Sequence, residues 1–286
     1  MKAAVSFFRA HRAIALYSCF VLLIVLVALF AGQIAPFSPT ASVLRDAYQP
    51  PSSAHLMGTD FMGRDLFSRV VYGTRASLSS ALLLVAAAMV IGGLLGIIAG
   101  YAGGVTDAAI MRLCDTMLAF PDLILAIAIA GILGPSFVNT IIAILAVSWT
   151  KYARLSRSMV LKIKQRDYIA AARITGSKTG HILLAYLIPN ALPTLLTTAV
   201  LDIGTTILSV SSLSFLGFGI QPPTPEWGFM LAEGRNYMMT YPWLMLFPGL
   251  AILITVVAFN LLGDSVRDAL DPAGRRKHKK RRKPRA

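Results

Sequence analysis

The sequence predicts an all-α integral membrane protein with six transmembrane helices and both termini cytoplasmic, and three observations predict it. Apolar residues make up 56% of the 286 positions and charged residues 14%, where a soluble domain has about 45–50% and about 25%. Apolar segments recur near 13–36, 76–103, 110–134, 137–156, 191–217 and 242–263. Each approaches or exceeds the roughly 20 residues that a helix needs to cross about 30 Å of hydrocarbon. Lys and Arg are distributed one-sidedly. With the N-terminus inside, only Arg45, Arg64, Arg69, Arg75 and Arg235 of the 27 basic residues fall outside, as the positive-inside bias requires.

The elements follow in order. Residues 1–12 form a cytoplasmic start carrying Lys2, Arg9 and Arg12. Residues 13–36 are the first transmembrane helix. They are too long for the 7–15-residue apolar region of a cleaved signal peptide. Residues 37–75 are read as an outer loop, with Pro39, Pro50 and Pro51 against helix continuation. Within it, Gly58, Thr59, Asp60, Gly63, Arg64, Asp65, Ser68, Arg69 and Arg75 form a dense polar run. Two readings of the run are open. Its charges pair with one another and fix the loop, or they meet a partner outside the membrane.

Residues 76–264 make a five-helix core, interrupted on the cytoplasmic side by a loop over 157–190. A second outer loop, 217–242, carries Pro222, Pro223, Pro225 and Trp227. Trp227 and Trp243 suit the water–lipid interface. Residues 265–286 are a basic tail, with nine Lys and Arg between Arg275 and Arg285. Behind a membrane span this reads as a topology determinant held at anionic lipid, at about 1 kcal/mol per charge. A nucleic-acid partner is not expected.

The chain shows no site for covalent catalysis, for a metal or for a cofactor. Thr175–Thr179 lacks the glycine spacing that wraps backbone N–H groups around phosphates. His11, His55, His181 and His278 are scattered, and Cys19 and Cys114 lie in separate apolar segments. His55, Met57 and Met62 lack the spacing of a metal site. Any uphill movement of a solute therefore draws its energy from elsewhere. Ionisable residues inside spans cost about 2.5–3.5 kcal/mol and are functional candidates. Asp202 is the clearest, in the middle of the fifth segment, while Asp115 and Asp122 lie in the third. Asp202 either lines a polar translocation path, or is satisfied by Thr198 or Thr205.

The longest polar break, Lys151 to Pro193, contains a short helix signal. Asp167 is a suitable N-cap. Gly176 is a suitable residue just past the helix end, where a left-handed conformation carries no Cβ penalty. The intervening residues give a helix about 13 Å long, too short to be stable without tertiary support. Ala170, Ala171 and Ala172 make it slim. It either enters a cleft on a soluble partner or lies on the membrane surface.

From Asp167 to Pro189 the chain resembles the EAA loop of ATP-binding-cassette importer permeases, through Ala171, Ala172, Gly176, Ser177 and Pro189. It departs from that pattern with Ala170 at the glutamate position and Tyr186 at a basic one; Asp167 and Arg173 supply nearby charge. The runs Leu56–Leu78, Ser212–Gly228 and Ala258–Pro272 are similar to the dipeptide/oligopeptide/nickel subfamily, in its second, C-type permease. The resemblance implies a type I importer permease paired with a partner permease, two cytoplasmic ATPases and an external substrate-binding protein. It implies that Asp167–Gly176 is the coupling helix, that the chain is not itself an enzyme, and that the cargo is a di- or oligopeptide, nickel or a nickel chelate. The alternative is an autonomous secondary carrier or channel; a third reading is a non-transporting membrane anchor.

Overall fold

A computed structural model describes residues 12–270, and among these there are helices and turns but no strands. The start of the N-terminal segment and the basic tail beyond Leu270 lie outside the described residues. Helix α1 spans Arg12–Leu29 and the short α2 Ala31–Ile34. Then come α3 (Leu66–Ala102), α4 (Gly104–Leu118), α5 (Asp122–Leu133) and α6 (Phe137–Ile163). A short helix, α7 (Asp167–Ile174), precedes α8 (Thr179–Ile182), which runs through a π-helical turn at Leu183–Leu187 into α9 (Ile188–Phe215). Helices α10 (Trp227–Gly234) and α11 (Trp243–Leu270) complete the described chain.

Helix α3 begins at Leu66, ten residues before the apolar segment expected at 76, so Ser68, Arg69 and Arg75 are helical rather than part of a 37–75 loop. Asp65 caps it, its side chain accepting the Ser68 N–H at 2.8 Å, which satisfies one of the free donors of the first turn. With 37 residues it is about 55 Å long, more than a bilayer's hydrocarbon core.

The third apolar segment is also corrected. It is not one straight helix over 110–134: α4 and α5 meet at a 91° bend. Pro121 sits at the break. It disfavours the helical conformation in Phe120 and offers no N–H to continue the ladder.

Among the described residues three helices are long and apolar enough to cross a membrane: α3, the continuous α8–α9 rod and α11. A fourth is added if the bent α4–α5 pair is one span. The apolar stretch of α1, Ile14–Leu29, is shorter, and the second half of α6 carries Lys151, Arg154, Arg157 and Lys162.

The seam of the core is the close approach of α3 to α6. Gly92, Gly96 and Gly100 recur every four residues on one face of α3. A Cβ on Gly92 would stand 2.1 Å from the Trp149 carbonyl oxygen, one on Gly96 2.1 Å from that of Ala153, and one on Gly100 2.9 Å from Val160 Cβ. In a membrane, where lipid is as apolar as leucine, such small-residue faces let helices approach and pack. Helix α9 packs on α3 and on α11, and α11 on α1. A buried cluster including Leu66, Leu78, Ile207, Trp227 and Phe259 fills the half around the start of α3. Ile97, Val160, Ile169, Ile182 and Leu187 fill the opposite end.

Candidate functional site

Helix α3 connects two polar constructions at its ends, with a third beside its middle. At the N-terminal end the loop before α3 is folded on itself. Thr59 and Asp65 form an isolated bridge, the Thr59 hydroxyl donates to the Asp46 carbonyl, and the Thr59 N–H donates to the Gln49 carbonyl at 3.0 Å. Gly58 and Gly63 stand at its turns, both with positive φ. Asp60 accepts the Met62 and Arg64 N–H groups at 2.8 and 3.0 Å and the Arg64 side chain at 2.6 Å. Arg64 and Arg69 converge on Glu233 of α10, at 3.0 and 2.6 Å, and Arg69 Nη1 also lies 3.0 Å from Asp60. Two carboxylates and two guanidiniums thus alternate, all nearly buried. Asp65 faces His55 at 2.9 Å, the Ser68 hydroxyl accepts the Phe37 N–H at 3.2 Å, and Arg75 is exposed on α3.

Removing one partner from a buried ionic network strands the others, at about 3–5 kcal/mol. Glu233→Ala is therefore expected to destabilise the protein by about that amount, seen as a fall in melting temperature in detergent, whereas Arg75→Ala leaves it unchanged. Glu226 caps α10, its carboxylate accepting the Gly228 and Phe229 N–H groups, each at 3.0 Å, and the Ser77 hydroxyl at 3.1 Å. Burial pushes this carboxyl above its ordinary range, against the pull of those donors.

At the other end of α3 lies α7. Its first residue is Asp167, and Arg166 holds the N-cap position, so the expected N-cap is displaced by one. Asp167 places its charge in the first turn, where the helix dipole favours an anion. Ile169 and Ala172 are buried, Ile169 within the Ile97–Val160 cluster. Arg173 and Lys164 stand over the Tyr101 ring at 5.7 and 5.6 Å, and Lys164 donates to the Tyr101 carbonyl at 2.8 Å. The helix closes with a double hydrogen bond: Gly176 N–H to the Arg173 carbonyl at 3.0 Å and Ser177 N–H to that of Ala172 at 2.9 Å. Gly176 has φ +80°, the left-handed geometry this ending demands.

The other face of α7 points outward. Ala170 and Ala171 are exposed, as is Arg173, and Ile174 is 87% exposed. Tyr186 packs edge-on to His181 at 5.8 Å and beside Tyr168 at 6.0 Å, and Pro189 lies exposed in the first turn of α9.

Between these ends, beside Leu84, Val85 and Ala88 of α3, lies a cavity of about 170 Å³ that includes Asp202 in its wall. Neither threonine satisfies the Asp202 carboxylate. Thr198 donates to the Thr194 carbonyl at 3.0 Å, and Thr205 donates to the backbone carbonyl of Asp202 at 3.0 Å. Lys151 of α6 pairs with the carboxylate instead. Asp122, in the first turn of α5, lines the same cavity, whereas Asp115 pairs with Arg154. Arg157 holds Asp107 at 2.6 Å, tying α6 to α4.

Three groups of residues escaped the sequence reading: Lys151, Glu233 and the α3 glycines. Each left a signal. Glu226 and Glu233 are the only glutamates in the chain, and Glu233 is the partner that Arg64 and Arg69 need. The glycines carry the G-x-x-x-G spacing. Lys151 opens the polar break Lys151–Pro193 in the sequence, although it lies inside an uninterrupted helix.

The chain is similar to known transport permeases. The family described as binding-protein-dependent transport system inner membrane component matches residues 92–276, and the N-terminal TM domain of oligopeptide transport permease C matches residues 1–51. A probable D,D-dipeptide transport system permease protein of Escherichia coli K12 is 45% identical over 88% of this chain and 85% of its own. A dipeptide transport system permease protein of Haemophilus influenzae is 42% identical over 93% and 92%. A nickel transport system permease protein of E. coli K12 is 40% identical over 93% and 97%. With relatives this similar along nearly their whole length, the chain belongs to the binding-protein-dependent transport system inner membrane component family.

Proposed function

We propose that this permease is one subunit of an ATP-driven importer for di- or oligopeptides or for nickel, forming the translocation path with a partner permease. Two cytoplasmic ATPases drive it and an external binding protein delivers the solute. The chain itself is not catalytic, since hydrolysis belongs to the ATPases. Six spans carry it: α1, α3, the bent α4–α5 pair, α6, the α8–α9 rod and α11, with both termini cytoplasmic. Residues 157–190 form the coupling loop and 265–286 the lipid-facing tail. The outer signature from Gly58 to Arg75 then stands on the external side, and Asp202 lines the path. The names of the relatives support both cargo classes and do not separate them.

The observation that carries this reading is the outward face of α7. A helix of eight residues is anchored to the end of α3 on one side and presents Ala170, Ala171 and a nearly bare Ile174 on the other. An apolar side chain so exposed, flanked by small residues, suits insertion into a cleft as a buried aliphatic anchor. The π turn after α8 and the Tyr101 contacts tie α7 to the spans, so displacement of its outer face is transmitted rather than absorbed.

The test is cross-linking. In a variant with Cys19 and Cys114 replaced by Ser and Ala, and Ile174→Cys introduced, a short thiol cross-linker is expected to join this chain to an ATPase subunit in membranes. A cysteine placed at Arg75 is expected not to. Equal cross-linking from both positions, or none from Ile174, would remove α7 as the coupling element.

A further inference from the structure

We infer that Lys151 and Asp202 form a membrane-embedded site for a small zwitterion, closed on itself when empty and opened by a solute that carries both an ammonium and a carboxylate. The inference rests on reading the chain as an importer permease and adds the chemistry of what passes.

Charged groups at mid-membrane are costly unless paired, and here each of the two satisfies the other. The pair differs from the outer ionic network in one respect. There all four charged side chains are at most 14% exposed. Here the carboxylate is 12% exposed but Lys151 is 58% exposed. Asp202 is rooted in packed structure, while the ammonium rides on a flexible four-carbon stem that can swing away. The cavity beside them, about 170 Å³, exceeds several times the roughly 30 Å³ share of one water, so there is room for a solute beside the pair once Lys151 swings away.

The walls suit the same ligand. Ser148, Thr205 and Ser209 line the cavity. Their hydroxyl protons are committed to the carbonyls of Ile144, Asp202 and Thr205, at 2.9, 3.0 and 3.1 Å. A hydroxyl that has spent its proton on its own helix offers only lone pairs, which is what an ammonium needs for its remaining N–H groups. Asp122 adds a second carboxylate to the wall, in the first turn of α5, where the helix N-terminus offsets part of its charge.

Charge balance then selects the ligand class. A simple cation that takes Asp202 strands the Lys151 ammonium, and a simple anion that takes Lys151 strands the Asp202 carboxylate. Leaving one member of a partly buried pair uncompensated is the costly outcome. A solute bearing both charges replaces both partners at once, its ammonium on Asp202 and its carboxylate on Lys151. When it leaves, Lys151 and Asp202 close on each other again, and Asp122 stays in the wall at the N-terminus of α5.

The test uses the complete importer, with its partner permease, ATPases and binding protein, in proteoliposomes. The probes are labelled dialanine, labelled glutathione and nickel ions. The deciding variant is Lys151→Met with Asp202→Asn, which removes both charges together. A pair that only holds helices together tolerates this change, because no charge is left alone. We expect the double variant to keep its melting temperature and its stimulation of ATP hydrolysis by the loaded binding protein, while uptake of the zwitterion that wild type transports falls at least tenfold. Unchanged uptake would overturn the proposal, and so would loss of assembly or of ATPase stimulation, since either makes the pair a structural clip. Wild-type uptake of nickel alone would overturn the site and leave the importer standing. ATP-dependent uptake of none of the probes would overturn the importer reading together with the site.

Discussion

Replacing Gly96 with leucine is expected to remove folded protein from the membrane. The position has no room even for a methyl group: a Cβ would stand 2.1 Å from both the Ala153 carbonyl oxygen and the Ser156 hydroxyl, and 2.8 Å from the Ala153 carbonyl carbon. Two of these are backbone atoms of α6 and cannot rotate aside, so the helices must separate. Gly92 and Gly100 meet α6 on either side along the same face, and separation forfeits their contacts too. Overpacking a well-packed site ordinarily costs about 1–3 kcal/mol, and a whole seam lost places this change at or above the exceptional 4–5 kcal/mol range. The measurement is the yield and melting temperature of monodisperse protein in detergent. Gly131→Ala is the control: it also lies in a helix, but its nearest neighbour, Phe218, is 4.0 Å from the added carbon, and it is expected to behave as wild type.

Gly176→Pro is expected to reduce ATP-driven uptake by more than tenfold while leaving the chain in the membrane. Proline fixes φ near −65° and has no N–H. Gly176 has φ +80° and donates its N–H to Arg173, so the substitution breaks both the conformation and one of the two closing hydrogen bonds of α7. The last turn, which carries Ile174, then loses its position. The core is spared, because a side chain at Gly176 would meet nothing within 4 Å. Gly176→Asn supplies the contrast. Asparagine visits the left-handed region at modest cost, so uptake is expected to fall only slightly. Equal loss in both variants would show that the left-handed turn is not what matters.

How much of this was legible in the sequence depended on whether the signal was local. The apolar runs gave most of the long helices, because lipid demands continuous apolar length. The short helix before Gly176 was legible too, since its ending is written in one glycine and its slimness in three alanines. Its start was misplaced by one residue. Ile169 and Ala172 must both be buried, Ile169 in the Ile97–Val160 cluster, and that requirement comes from tertiary packing. The beginning of α3 was hidden for a related reason. Arg69 looks like a loop residue until Glu233, more than 160 residues onward, is brought beside it. Asp202 was recognisable as an outlier in an apolar run, but its partner Lys151 lies on another helix, and the neighbouring threonines spend their protons on the backbone. The break at Pro121 was visible as a residue and was overridden by the apolar run on both sides of it.

Transport by this chain takes its energy from outside it. The direct measurement is solute accumulation in proteoliposomes containing this permease and its partner permease, with and without the two ATPases, the binding protein present on the external face and ATP enclosed. Accumulation that requires the ATPases and ATP is the predicted result. Accumulation of the same solute by the permeases alone, driven by an ion gradient or by the solute's own gradient, would contradict it and make the chain a carrier or channel in its own right.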